Sequence, residues 1–263
     1  MDRKKRFEKI ARDIKAIKIQ GARNVAKAAL EAYELFPDKK HKKILFSLRP
    51  TEPMLWKTIE MAEKAPARKI LMHFDEAQEK INKSVLKIVE NNSKIFTHCH
   101  STNVVNSLIY AKKHGKRFEV FNTETRPLYQ GRRTAKELSR AGIRTTLITD
   151  LEIGEFLKKS DAVFMGADAL LKNGDVINKT GSAMIAELAS NHRIPVYIIA
   201  DSWKFSKRDV KIEEREYKEV WKRASKDIKI KNLAFEKIPA RYIAAIISEL
   251  GILKPKDFVR KVQ

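Results

Sequence analysis

Apolar residues in the first 35 positions recur at helical spacing. Phe7, Ile10, Ile14 and Ile17 keep one helical face, and Val25, Leu30 and Tyr33 carry a second stretch of the same period. Glycine costs about 1 kcal/mol inside a helix, so Gln20-Gly21 predicts a break between two helices. Pro37-Asp38 then closes the segment. Beyond residue 41 short apolar runs alternate with longer helical patterns. The runs lie at 44–48 (ILFSL), 70–74 (ILMHF), 95–97 (IFT), 118–121 (FEVF), 144–148 (RTTLI), 162–165 (AVFM) and 196–200 (VYIIA). Most are separated by 20 to 30 residues, which leaves room for crossover helices.

Continuous apolar runs at that spacing predict strands buried on both faces of a parallel sheet, with a doubly wound α/β arrangement from about residue 94 to 205. The first two runs fit strands or parts of a helical subdomain, because Trp56, Ile59, Met61 and Ala62 between them read as helix. The expected division is a mainly helical domain over 1–90 and a Rossmann-like α/β domain over 91–263. The lysine-rich stretches 39–43 and 206–211 read as charged loops or helix ends.

Composition narrows the setting. A chain of 263 residues with 43% hydrophobic content can bury a core without staples, and its single cysteine forms no internal disulfide. The basic start lacks the apolar stretch of a signal peptide, and no run approaches the roughly 20 residues that span a bilayer. A reducing, cytoplasmic location is expected. Lys and Arg number 55 against 33 acidic residues, a formal charge of +22. Many of these charges read as solvated helix faces, yet the field favours acidic partners such as phosphorylated small molecules. No aromatic stacking platform accompanies the lysines, so direct RNA binding is not expected.

In an open parallel sheet chemistry collects where strands end and helices begin. Cys99, within "THCHS", follows the run ending at Thr97, and Ser101 and Thr102 are good caps for the helical pattern after them. A thiol at a helix N-terminus is predicted to have a lowered pKa, bringing thiolate chemistry within reach of neutral pH. A buried inert thiol is the other reading. His98 and His100 flank the chain's lone cysteine and no second cysteine exists, so no metal or other cofactor is expected. Further strand ends carry Asn122 to Arg126, then Gly166-Ala167-Asp168, then Asn178-Lys179 before Ser182, and Asp201 to Lys204. Asn173-Gly174 reads as a tight turn. Asp168 could equally be a helix cap, Arg126 could pair with Glu124, and Lys179 and Lys204 could be solvated. Taken together, the converging Cys, Arg, Asp, Asn and Lys suit a phosphorylated, oxygen-rich ligand.

The segments "THCHS", "NTETRPLYQGRRTAKELSRAGI", "MGADALLKNGDVINKTGSAMIAELA" and "VYIIADSWKF", in this order, resemble the translation initiation factor 2B alpha/beta/delta subunit family. That family also contains the archaeal ribose-1,5-bisphosphate isomerases and the methylthioribose-1-phosphate isomerases. The resemblance runs from about Lys15 to the closing "FEKIPARYIAAIISELGIL". It implies a helical N-terminal domain, a Rossmann-like C-terminal domain, a ligand pocket between them, and dimers or higher homo-oligomers. It also implies roles for residues. Cys99, at the isomerases' "THC" position, would remove a carbon-bound proton, and Asp168, at the "GAD" position, would shuttle a proton between oxygens. Asn178, Lys179 and Lys204 match positions that hold sugar hydroxyls and neighbouring charge. Arg49 in "SLRPT" matches a phosphate-binding arginine, and Gly21, Arg23 and Ser101 complete the expected ligand set.

The chain departs from the isomerases at one anchor. They read "RGAG" where this sequence has Gln20-Gly21-Ala22-Arg23, and glutamine cannot reproduce a bidentate arginine–phosphate contact. Arg23, a helical turn away, is the substitute the sequence offers. With this altered anchor and a shortened N-terminal region, the first reading is a regulatory protein of the archaeal initiation factor 2B type, binding initiation factor 2 and a sugar phosphate or nucleotide. Its alternative is an aldose–ketose isomerase of a sugar phosphate such as ribose 1,5-bisphosphate.

Overall fold

The structure is a computed structural model describing residues 2–263; Met1 lies outside the described residues. Five helices come first: α1 (Arg3–Lys15), α2 (Ala22–Leu35), α3 (Lys39–Leu48), α4 (Pro53–Ala62) and α5 (Ala67–Ile88). The predicted break falls between α1 and α2, where Gly21 takes φ +85°. Asp38 caps α3 by accepting a hydrogen bond from the His41 N–H at 2.9 Å. Phe7, Ile14, Val25, Leu45, Leu55 and Ile59 form the centre of this helical part.

The two early apolar runs are helical. Residues 44–48 lie in α3 and 70–74 in α5, where the buried positions Ile70, Phe74, Ala77, Ile81 and Val85 follow helical rather than strand spacing. Lys39 to Lys43 form the first turns of α3. The 22-residue α5 also joins the parts of the chain: Ile70 and Phe74 pack among the N-terminal helices, while Ile81 and Val85 pack on the sheet.

The remaining elements are β1 (Ser93–Thr97), α6 (Thr102–Lys113), β2 (Phe118–Thr123), α7 (Gln130–Arg140), β3 (Arg144–Ile148), α8 (Ile153–Leu157), β4 (Ala162–Met165), β5 (Ala169–Leu171), β6 (Val176–Lys179), α9 (Ser182–Asn191), β7 (Val196–Ile199), β8 (Phe205–Ser206), β9 (Phe235–Ile238), β10 (Ala245–Ser248), β11 (Gly251–Leu253) and α10 (Pro255–Val262). The main sheet runs β11-β10-β7-β4-β1-β2-β3, parallel except for β11. Alternating side chains fill both faces. Phe96, Val163, Met165 and Ile198 enter one core, and Ile95, Phe164 and Ile199 enter the other. Each such side chain contributes on the order of 1.5–3 kcal/mol of burial. From β1 the chain winds outward to β2 and β3, and from β4 it winds the other way to β7 and β10. The switch point therefore lies between β1 and β4, and a ligand crevice belongs at their carboxyl ends.

A four-stranded sheet, β8-β5-β6-β9, adjoins this frame. Asn173-Gly174 makes the expected tight turn between β5 and β6, with Gly174 at φ +86°. No helix among the described residues is long and apolar enough to cross a membrane.

Candidate active site

Cys99 follows β1 and Asp168 follows β4, so the two residues face each other across the switch point. Both line a cavity of about 230 Å³ together with Gly21, Arg49, Asn178 and Lys179. An adjoining cavity of about 60 Å³ shares Gly21, Asp168 and Asn178 and adds Arg23, Ser101 and Lys204. Every ligand and catalytic residue expected from the sequence thus lines one of two adjoining cavities.

Local backbone chemistry sets the turn at Cys99. It sits at φ +65°, in the left-handed region that costs a non-glycine residue about 1–2 kcal/mol. Thr125 and Thr134 hold it there: the Cys99 N–H donates to Thr125 Oγ1 at 3.0 Å, and the Thr134 hydroxyl donates to the Cys99 carbonyl at 2.8 Å. Thr125 contacts Thr123 Oγ1 at 2.9 Å, and Thr123 lies 2.7 Å from His98 Nδ1. Buried His98 uses Nε2 to donate to the Thr180 carbonyl at 2.9 Å, so Nδ1 is the acceptor and the ring is neutral. Burial lowers its pKa to about 4. His98, with both ring nitrogens engaged, is structural, whereas His100 uses only Nδ1, 3.0 Å from Thr134 Oγ1, and burial lowers its pKa to about 4 as well.

The expected dipole effect on Cys99 is overturned. Ser101 does cap α6, accepting from the Val104 N–H at 3.5 Å, but burial outweighs the helix terminus and pushes the thiol up to about 11. The charge of Lys179 works the other way, favouring thiolate, while desolvation lowers the pKa of Lys179 itself. The Asp168 carboxyl is raised, by burial first, against the pull of Lys204, Arg49 and Arg215. It is therefore disposed to carry a proton. A helix-cap role for Asp168 is excluded, since it stands between β4 and β5.

Lys179 and Lys204 are buried rather than solvated. Lys204 Nζ donates to the Ala167 carbonyl, placing its charge beside Asp168. Asn178 Nδ2 donates to Ser182 Oγ at 2.8 Å. Gly166 lets the end of β4 approach α6: a Cβ there would fall 2.5 Å from Ser101 Oγ. Arg126 does not pair with Glu124; its guanidinium reaches the Tyr129 hydroxyl, and Glu124 pairs with Arg132 at 2.9 Å.

The arginines expected to grip phosphate are engaged. Arg23 pairs with Asp75. Arg49, 5% exposed, donates from Nη2 to Glu52 at 3.0 Å and from Nε to Glu213 at 3.0 Å. Burial raises Glu52 to about 7 despite that arginine. Glu52, Glu213 and Arg215 escaped the sequence reading, while Gln130 stood there only within the polar stretch that follows the apolar run ending at Phe121. Glu213 and Arg215 stand in "KIEEREYKEV", whose dense charge carries no period and reads as solvated surface.

The sequence pattern described as the Initiation factor 2 subunit family matches residues 16–255. The chain is 35% identical to ribose 1,5-bisphosphate isomerase of Methanocaldococcus jannaschii, covering 96% of this chain and 92% of that one. It is 32% identical to the isomerase of the same name from Archaeoglobus fulgidus, covering 94% and 89%. The crystal structure of the Pyrococcus horikoshii translation initiation factor eIF-2B superimposes with a TM-score of 0.87 at 28% identity, covering 98% of this chain and 99% of that one. With its sequence matched from residue 16 to 255 and its fold shared end to end, the chain belongs to the Initiation factor 2 subunit family.

Proposed function

We propose that the chain is an aldose–ketose isomerase acting on a phosphorylated pentose such as ribose 1,5-bisphosphate. The observation that carries the reading is the meeting of Cys99 and Asp168 in one cavity at the sheet's switch point, among buried cations. The identity of 32–35% to proteins named for that reaction supports it further, and moves the weight from the regulatory reading to its alternative.

The proton bookkeeping closes with these two groups. A C1-phosphorylated ring sugar becomes a 2-ketose when the C2 proton leaves, the C1–ring-oxygen bond breaks and that oxygen gains a proton. The thiolate of Cys99 takes the C2 proton, and the raised carboxylic acid of Asp168 supplies the ring oxygen, leaving a C1=C2 enol. Asp168 then recovers a proton from the C2 hydroxyl while Cys99 delivers its own to C1. The ketone forms at C2 and both groups return to their starting states. Negative charge on the substrate oxygens develops beside Lys179, Asn178 and Lys204. The Lys179 ammonium favours the thiolate that the first step needs.

The regulatory reading keeps one favouring observation, the nearly complete mutual coverage with the Pyrococcus horikoshii factor. Incubation with ribose 1,5-bisphosphate separates the two. The isomerase reading expects a ketose product whose rate falls roughly 10²–10⁴-fold in Cys99→Ser and in Asp168→Asn. Absence of ketose from wild-type protein with sugar phosphates, together with capture of initiation factor 2, would overturn it.

A further inference from the structure

Four of the buried side-chain atoms left without a hydrogen-bond partner belong to residues lining the larger cavity: Glu52 Oε2, His100 Nε2, Gln130 Oε1 and Arg215 Nε. Burying a polar atom without a hydrogen-bond partner is costly, so their collection around one cavity points to a polar ligand that satisfies them. Only one of the four is a cation. Arg215 is 10% exposed on its side chain, and its nearest carboxylate, Glu213 Oε2, stands 3.7 Å from Nε, beyond hydrogen-bonding distance.

Lys179, the other cation without an ion pair, stands beside Cys99, whose thiolate it favours, and the remaining cations of the two cavities are committed. Arg49 is shared between Glu52 and Glu213, Arg23 is held by Asp75, Arg133 donates to Glu137 at 2.7 Å, and Lys204 donates to the Ala167 carbonyl. Gln20 lines the same cavity as Arg215 and carries no charge. The backbone around Arg215 is fixed. Its N–H donates to the Asn232 carbonyl at 2.8 Å, Glu214 bridges Leu233, and the Asn232 amide ties to the Glu216 carbonyl and Glu219 Oε2, each at 3.0 Å. The guanidinium lies 5.5 Å from the Phe235 ring centroid. Its charge is felt at Cys99, Asp168 and Lys179, so it faces the reacting region.

We propose that Arg215 is a phosphate anchor of this cavity, supplying from the loop between β8 and β9 the guanidinium contact that Gln20 cannot make. The anchor rests on the sugar-phosphate reading above for its ligand. A planar fork with a free Nε–H matches two phosphoryl oxygens, and a buried setting strengthens that contact relative to water. The position is specificity-determining: it favours substrates whose phosphate reaches this end of the cavity over the unphosphorylated sugar.

Titration calorimetry of the full chain with ribose 1,5-bisphosphate, ribose 1-phosphate and ribose 5-phosphate tests it, alongside kcat and KM. Arg215→Gln is expected to raise Kd for the bisphosphate roughly 30- to 100-fold. It should leave one monophosphate nearly unaffected, because a single phosphate meets the guanidinium. Arg215→Lys keeps charge without the fork and should lose roughly tenfold, which preserves the test if the glutamine variant fails to fold. Gln20→Arg placed on Arg215→Gln should recover at least about tenfold. Binding by Arg215→Gln within about threefold of wild type, equal losses for both monophosphates, or no recovery with Gln20→Arg would overturn the proposal. Loss of binding in Arg215→Gln with no ketose from wild type would sink the isomerase reading and leave the anchor standing. Turnover with an unchanged KM in Arg215→Gln would do the reverse.

Discussion

Cys99 is the sole thiol of the chain, so its alkylation reports one titration without interference. The perturbation is pH itself, with iodoacetamide as the probe. With the thiol pushed up to about 11 by burial, its thiolate fraction at about pH 7.5 is roughly 0.03%. A free cysteine near 8.5 is roughly 9% ionised at the same pH. Thiolate is the reacting species, so carbamidomethylation of the native protein should run roughly 300-fold slower than that of a small free thiol, before any steric slowing. The rate should climb tenfold per pH unit from pH 6 to pH 10 with no plateau. Lys179→Gln removes the neighbouring ammonium that favours thiolate and should slow the reaction further at every pH. Mass spectrometry of the intact chain over time gives each rate. A rate that levels off below about pH 9 would refute burial as the controlling influence and reinstate the helix terminus.

Acid should destabilise the fold through its buried histidines. His98 is held neutral near 4 against about 6.5 when unfolded, so the unfolded chain binds more protons between those values and stability is lost as pH falls through them. From pH 7 to pH 4.5 urea denaturation should show a loss of about 2–3 kcal/mol from His98, absent in His98→Gln. Arg49→Met leaves buried Glu52 and half-buried Glu213 without their shared cation and should cost about 3–5 kcal/mol by the same measurement. Two glycines should respond oppositely to alanine. A Cβ at Gly131 would meet the Thr123 carbonyl oxygen at 1.7 Å, so Gly131→Ala should cost about 3 kcal/mol, whereas Gly154, within α8 with open space around it, should gain about 0.5–1 kcal/mol in thermal melts.

Periodicity made the parallel sheet legible because its strands are buried on both faces, and buried runs such as 162–165 and 196–200 stand out from polar surroundings. It left 44–48 and 70–74 open between strand and helix, because a helical stripe is locally continuous there; the next turns, Ala77, Ile81 and Val85, reveal the helical period. The small sheet was missed because β5, β8 and β9 span 3, 2 and 4 residues, too short for alternation to register. β10 was similarly hidden inside a run read only as a closing segment. Cys99 and Asp168 were legible from their places after strands. The direction of the Cys99 shift was not, because burial depends on what packs over the turn and the helix terminus is visible without it. Arg215 lay beyond reach for a related reason: its loop gains meaning only when folded against Arg49 and Asn232.

The contacts of Arg49 and Thr51 have a consequence for recombination. Arg49 binds Glu213 and the Thr51 hydroxyl binds the Lys211 carbonyl, at separations of 164 and 160 residues. A chimera that takes its first helices from one relative and its sheet from another would split these partners between parents. Its crossover would need a second exchange carrying residues 207–234 with α3 and α4, so this loop is inherited by fit with the helices rather than with the strands that flank it.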